Sequence, residues 1–463
     1  MEKIGERAAV RRSGLFCRRW YNGLRDRIGC PEVRAVIIHV VRSGETVSSI
    51  ARQYGVDPRR LAVDNGVPDT GALAVGQTLT IRFPRQVYAV RQGDTLSSIA
   101  RSFGVTVRQL YRRNYQLDGR DQLVPGQSLV ISYLGEKLGA VTTNSYAYPY
   151  IDRRILDAAL PYMSCLTPFT YGITVTGGLL PLEDGMLLSA ARELGSLPLM
   201  HLSSMTEEGQ FSNQRSSMVL TDPQIQQAFI AAVVETVRQR GYRGVDVDFE
   251  FVFPGERQAY VDFVAALRRE LAPMSYPVLV ALAPKTYAQQ PGLLYEGHDY
   301  GGLGAAADFV LLMTYEWGYS YGPPMAVAPI PQVRQVLDYA VTEIPAGKIF
   351  LGIPNYGYDW PLPFRQGETR ARSLSNQEAV ALAVHYGADI QYDETAQSPF
   401  FYYTAEDGRA HVVWFEDGRS MEAKLRLVAE YGFHGAGYWN LMRPFAQGWT
   451  VLDGLYEVAD PQS

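Results

Sequence analysis

From residue 139 onward, short apolar runs alternate with amphipathic stretches of helical period. The runs lie near 140–147 and at 166–173, 197–204, 244–251, 278–285, 309–317, 349–360 and 435–442. Apolar runs of strand length separated by helical patterns predict parallel βα units. Eight such runs over 139–458 predict a (β/α)8 TIM barrel, an α/β fold. One intervening helix is well marked. Asp222 and Pro223 form its start, Ile225, Ala228, Phe229, Ala232, Val233 and Val237 its buried stripe, and Gly241 its stop.

The fourth run breaks the apolar rule in a regular way. In GVDVDFEFV (244–252), Asp246, Asp248 and Glu250 occupy every second position and Val245, Val247 and Phe249 fill the gaps. Strand side chains alternate between faces, so the three acids share one face. In a closed barrel wrapped by helices, the valines and the phenylalanine suit the helix side. The acids then face the interior or its mouth. Burying carboxylates with no task is costly, so this row is read as chemistry rather than as a solvated face.

Before residue 139 the pattern is a repeat. VVRSGETVSSIARQYGV (40–56) matches AVRQGDTLSSIARSFGV (89–105), aligning Gly44 with Gly93, Thr46 with Thr95, Ile50 with Ile99 and Gly55 with Gly104. Leu61 pairs with Leu110, Asn65 with Asn114, and AVGQTLTI (74–81) with VPGQSLVI (124–131). Each copy reads as a strand, a helix capped at Thr46 or Ser48 and ended at Gly55, a second helix carrying Leu61, and a closing strand. These βααβ modules are expected over 38–83 and 87–132. Their size is near the lower limit for independent folding. The connecting SYLGEKL (132–138) is too short and too poor in glycine for a long flexible tether, so the modules are expected close to the barrel.

Composition changes the picture little. Among 463 residues, 47% are hydrophobic and 20% charged, as in globular proteins, and the net charge of -5 offers no general argument for nucleic acid. Cys17, Cys30 and Cys165 form no CxxC or Cys/His cluster, so no metal site and no cofactor are expected. No apolar run is long enough to span a membrane, and no secretory signal is recognisable. Residues 1–37 read as a basic, disordered tail, with arginines at positions 7, 11, 12, 18, 19, 25, 27 and 34.

The repeats resemble LysM modules, which implies binding to N-acetylglucosamine polymers such as peptidoglycan and chitin. GVDVDFE resembles the signature of glycoside hydrolase family 18, and MTYEW (313–317) and GYWN (437–440) are similar to that family's sixth- and eighth-strand motifs. Arg243 and Glu316 depart from it, each standing where many members have Asp. The resemblance implies a retaining, substrate-assisted glycosidase cleaving β-1,4 bonds next to N-acetylglucosamine. It makes Glu250 the acid and base, Asp248 the partner of the 2-acetamido group, and Asp246 the holder of a proton shared with Asp248. Tyr315 is expected to aim the acetamido oxygen and Trp439 to floor the sugar site, with Met313, Tyr146, Asn355 and Tyr356 as further cleft residues. VWFEDGRS (413–420) is similar to a segment of the spore cortex-lytic N-acetylglucosaminidases. That resemblance implies a protein of the spore cortex or coat, or of the cell wall, acting in germination, and a monomer is expected. A LysM-targeted chitinase and a silent sugar-binding lectin are the alternatives. Removing residues 1–132 is expected to weaken action on insoluble wall far more than on short soluble glycans.

Overall fold

In the computed structural model, which describes residues 35–68 and 71–461, the eight apolar runs close into one parallel barrel. The strands follow chain order: Gly139–Ala147, Cys165–Pro168, Leu197–Pro198 continued by Met200–Ser203, Val245–Asp248, Val278–Leu282, Phe309–Leu312, Ile349–Pro354 and Gly435–Trp439. The last pairs back with the first, which shuts the sheet. Nearly all of the basic stretch expected as a tail, together with Cys17 and Cys30, lies outside the described residues.

The fourth strand shows how the alternation was used. Val245, Val247 and Phe249 are fully buried toward the helices, and the Phe249 ring lies 5.7 Å from Tyr260 and 5.4 Å from Phe263 of helix Arg257–Leu271. Full burial of such a side chain contributes roughly 1.5–3 kcal/mol each. Helix Pro223–Arg240 starts where the sequence placed it: the Asp222 carboxylate accepts from the N–H groups of Gln224 and Ile225, and Gly241 ends the helix at φ 79. Its stripe is Phe229, Ile230, Val233 and Val237, while Ala228 is exposed. The expected i, i+4 row Ile225, Phe229, Val233, Val237 is the packed one, with Ile225 partly buried against the core, and Ile230 joins it.

After the seventh strand the chain leaves the barrel. Gly357–Pro361, Arg372–Leu374, Gln391–Asp393, Ser398–Thr404 and Ala410–Trp414 make a five-stranded antiparallel sheet covered by helix Asn376–Tyr386. The sheet begins at Gly357, because its Gly357–Pro361 strand, second in the sheet order, follows the barrel strand Ile349–Pro354 directly.

The two modules repeat one design. Thr46 and Thr95 cap their helices with reciprocal bonds from Ser49 and Ser98, and Gly55 and Gly104 end them. Asn65 and Asn114 explain their own recurrence. Each side-chain oxygen accepts from a closing-strand N–H (Thr80, 2.6 Å; Val130, 2.8 Å) while its amide donates to a helix carbonyl and a strand carbonyl. Both modules are docked on the barrel. Arg82 of the first meets Asp453 at 2.6 Å, Gln447 donates to the Thr78 carbonyl and Thr450 to that of Asp64. Arg112 of the second reaches Asp460 at 2.9 Å, and Arg108 donates to the Met163 carbonyl. Among the described residues, no helix is long and apolar enough to cross a membrane.

Candidate active site

The strand alternation puts Asp246 and Asp248 inside the barrel, 0% and 5% exposed. The strand itself stops at Asp248. Glu250 lies two residues beyond it, half-buried at the mouth. The third strand pairs in register, so His201 stands opposite Asp246 and Ser203 opposite Asp248. His201 Nε2 approaches Asp248 Oδ2 at 3.5 Å, and its Nδ1 lies 2.6 Å from Thr170 Oγ1, which in turn bonds Ser203 Oγ. The imidazole is packed between Tyr146 and Phe169. Burial pushes its pKa down to about 4, so at neutral pH it is an uncharged hydrogen-bonding group.

Three neighbouring carboxyl groups, two buried and one half-buried, cannot all ionise freely. Burial pushes Asp246 up to about 6, with the neighbouring Asp248 charge adding to the shift. Asp248 and Glu250 titrate together, and burial raises both. Glu250 is raised further by Asp248 and Glu316. A glutamic acid that keeps its proton near neutrality, beside a cleft, can protonate a leaving group.

The cleft beside Glu250 has a volume of about 260 Å³, and Tyr146, Asp248, Glu250, Met313, Tyr315 and Trp439 line it. The Trp439 ring, part of the cleft lining, packs against Tyr146 at 5.4 Å and Phe169 at 5.0 Å. The Tyr315 hydroxyl is held protonated, first by burial and then by the charges of Asp248 and Glu250. Asn355 and Tyr356, expected at the cleft, lie one layer behind it. The Asn355 amide donates to the carbonyls of Asn440 and Arg443, bracing the loop after Trp439. The Tyr356 hydroxyl bonds Glu316, as does that of Tyr358 at 3.0 Å, and this fixes the Glu316 carboxylate near Glu250.

His201, Thr170 and Ser203 escaped the sequence reading, as did Tyr295 and Trp317 of the cleft wall. For His201 a signal existed. The alternation that exposed the acid row also puts His201 and Ser203 on the inner face of LPLMHLSS (197–204). Tyr295 comes from a loop helix, Leu293–Glu296, and no strand periodicity announces it.

Residues 205–443 match the sequence profile of Glycosyl hydrolases family 18, and residues 39–82 and 88–132 each match the LysM domain. The cortical fragment-lytic enzyme of Bacillus subtilis (strain 168) is 40% identical over 429 residues, covering 91% of this chain and 98% of that protein. The crystal structure of the Bacillus cereus spore cortex-lytic enzyme SleL superposes with a TM-score of 0.78 at 36% identity, over 92% of this chain and 99% of the other. That of the Bacillus megaterium QM B1551 spore cortex-lytic enzyme SleL gives 0.77 at 35% identity, with the same coverage.

Proposed function

We propose, for a chain that belongs to the glycosyl hydrolases of family 18 and carries two LysM domains, cleavage of β-1,4 bonds next to N-acetylglucosamine in spore peptidoglycan. The observation that carries this reading is the acid row that runs from buried Asp246 and Asp248 to half-buried Glu250 on the wall of the Trp439 cleft. The match over 91% of this chain to a cortical fragment-lytic relative supports the spore cortex or the cell wall as the setting.

Catalysis runs through the substrate's own acetamido group. Glu250 donates its proton to the glycosidic oxygen as the bond to the anomeric carbon breaks. The acetamido oxygen attacks that carbon from the other side, forming a cyclic oxazolinium. Asp248 accepts a hydrogen bond from the acetamido N–H and balances the positive ring. Asp246, deeper in the channel, shares a proton with Asp248 and lets its charge grow as the ring forms. Tyr315 donates to the acetamido oxygen and aims it, and Trp439 supports the apolar face of the sugar. Glu250, now ionised, takes a proton from water as the water opens the ring, which restores the starting configuration.

Mass spectrometry of fragments released from cortex peptidoglycan, vegetative wall and chitin tests the reading. New reducing ends are expected to be N-acetylglucosamine from peptidoglycan. Reducing-end muramic acid would contradict the assignment, release from chitin alone would make the protein a chitinase, and no release would make it a lectin.

The electrostatics give a pH prediction. Activity needs Glu250 protonated, so kcat/KM is expected to hold to neutral pH and fall as pH passes the raised Glu250 pKa. Glu316→Gln removes a charge that raises that pKa, so the alkaline limb of the pH–rate profile should move to lower pH. An unmoved limb would show that Glu316 is not coupled to the acid.

A further inference from the structure

The two modules are built alike but surrounded differently, and the difference falls on one turn. In the first, the Gln77 side chain accepts from Ala74 N–H at 3.1 Å, and Gly76 N–H donates to the Val41 carbonyl at 2.8 Å. In the second, Gln127 accepts from Val124 N–H at 3.0 Å, and Gly126 N–H donates to Val90 at 2.7 Å. The partner turns match too. Glu45 accepts from Arg42 N–H as Asp94 does from Arg91 N–H, and each acid also holds a strand aromatic, His39 or Tyr88.

In the first module this second turn is occupied. Ile390 of the insertion donates its N–H to the Val75 carbonyl, and its own carbonyl stands 1.8 Å from where a Cβ on Gly76 would lie. Arg419 reaches the Gly76 carbonyl, and Gly418 N–H and Gln447 engage Thr78. Ala74, Gly76, Gln77 and Thr78 are all buried. In the second module, Val124, Pro125, Gly126 and Ser128 are exposed, and a Cβ on Gly126 would meet nothing within 4 Å. Val124 is 66% exposed.

We infer, resting on the polymer reading above, that retention on an N-acetylglucosamine polymer falls to the second module alone, through its turns Arg91–Thr95 and Val124–Gln127. The first module is a structural bracket joining insertion, barrel and second module. The chemistry fits an N-acetylated glycan. Val124 and Pro125 offer an apolar platform for a pyranose face or an acetamido methyl, and the backbone bonds between Val90 and the Gly126–Gln127 turn set the polar residues Arg91 and Gln92 on the adjoining turn. The same platform in the first module is Ala74–Val75, and it is spent on the insertion.

The test uses the full chain bearing Glu250→Gln, so that polymer is not consumed, sedimented with insoluble peptidoglycan sacculi. Ser43 and Gln92 are equivalent, exposed positions in the two modules. Gln92→Glu and Val124→Glu are expected to weaken binding about tenfold, and Ser43→Glu by less than about twofold, with unfolding midpoints unchanged in all three. Equal losses for Ser43→Glu and Gln92→Glu, or intact binding in both second-module variants, would overturn the inference. A parent chain that does not sediment at all, while the unmutated enzyme cleaves soluble fragments, would instead bring down the polymer reading beneath it.

Discussion

A chain carrying Glu250→Gln is expected to lose about 10²- to 10⁴-fold in turnover while keeping its fold and its hold on polymer. The amide matches the carboxyl group in size but has no proton to give to the leaving oxygen. Asp246 lies deeper in the channel and, like Asp248, precedes the cleft mouth, so neither takes over the donor's place. Steady-state kinetics on soluble muropeptide fragments read the loss directly, and a variant retaining a tenth of wild-type activity would remove Glu250 from the role. Stability carries an independent sign. The folded protein holds the Glu250 proton more tightly than the unfolded chain, because burial raises the pKa. That contribution is present at low pH and is lost as pH rises from the ordinary glutamate range through the raised value. Glutamine has no such titration. Equilibrium unfolding should therefore show the variant gaining on the wild type as pH rises.

The second large effect concerns stability. Arg82→Ala is expected to cost about 3 kcal/mol, the lower end of what breaking a buried ion pair costs, because Lys137 and Arg112 remain beside Asp453. Burial alone would raise the Asp453 pKa, but Lys137, Arg82 and Arg112 outweigh it and hold the group well below the usual carboxylate range. A depressed pKa contributes stability above the unfolded-state value and loses it as pH falls through the folded one. Both Arg82 and Asp453 are under 5% exposed at the side chain, so solvent screens the pair little. Denaturant titration measures the cost, and a change below about 0.5 kcal/mol, the range of ordinary surface substitutions, would mean that the pair is not structural. The same contact revises the expectation for removal of residues 1–132. Such a deletion strips Arg82 and Arg112 from the barrel's buried Asp453 and uncovers Gln447 and Thr450. Losses on soluble and insoluble substrates should therefore fall together, through the folded fraction.

The barrel was legible in the sequence because parallel strands covered on both faces are near-continuous apolar runs, and all eight runs became barrel strands. The acid row was legible because alternation survives whatever the helices do. What escaped depends on contacts distant along the chain. Arg82 and Asp453 are 371 residues apart, and nothing near either one marks it as half of a pair. His201 was overlooked because a single polar residue in an apolar run reads as packing until its strand neighbour is known. Asn355 and Tyr356 follow a strand end, as cleft residues do, but the chain turns there into the insertion sheet. Their side chains are spent on the loop after Trp439 and on Glu316.

The carbonyl of Ile390 against Gly76 constrains how the two halves of the duplication drift. Gly76 lies at φ 81, where glycine is favoured on backbone grounds, and any side chain there would also strike the insertion. The first copy's turn answers to its own core and to a segment encoded far downstream. The second copy's turn answers to its core and to whatever meets it from solvent. Across homologous sequences, substitutions at 74–78 should therefore covary with those near 390 and 418–419. Those at 124–128 should vary independently of the insertion. Duplicated modules that began alike are then no longer interchangeable parts, and a chimera carrying two copies of the second module should assemble poorly even though each copy folds.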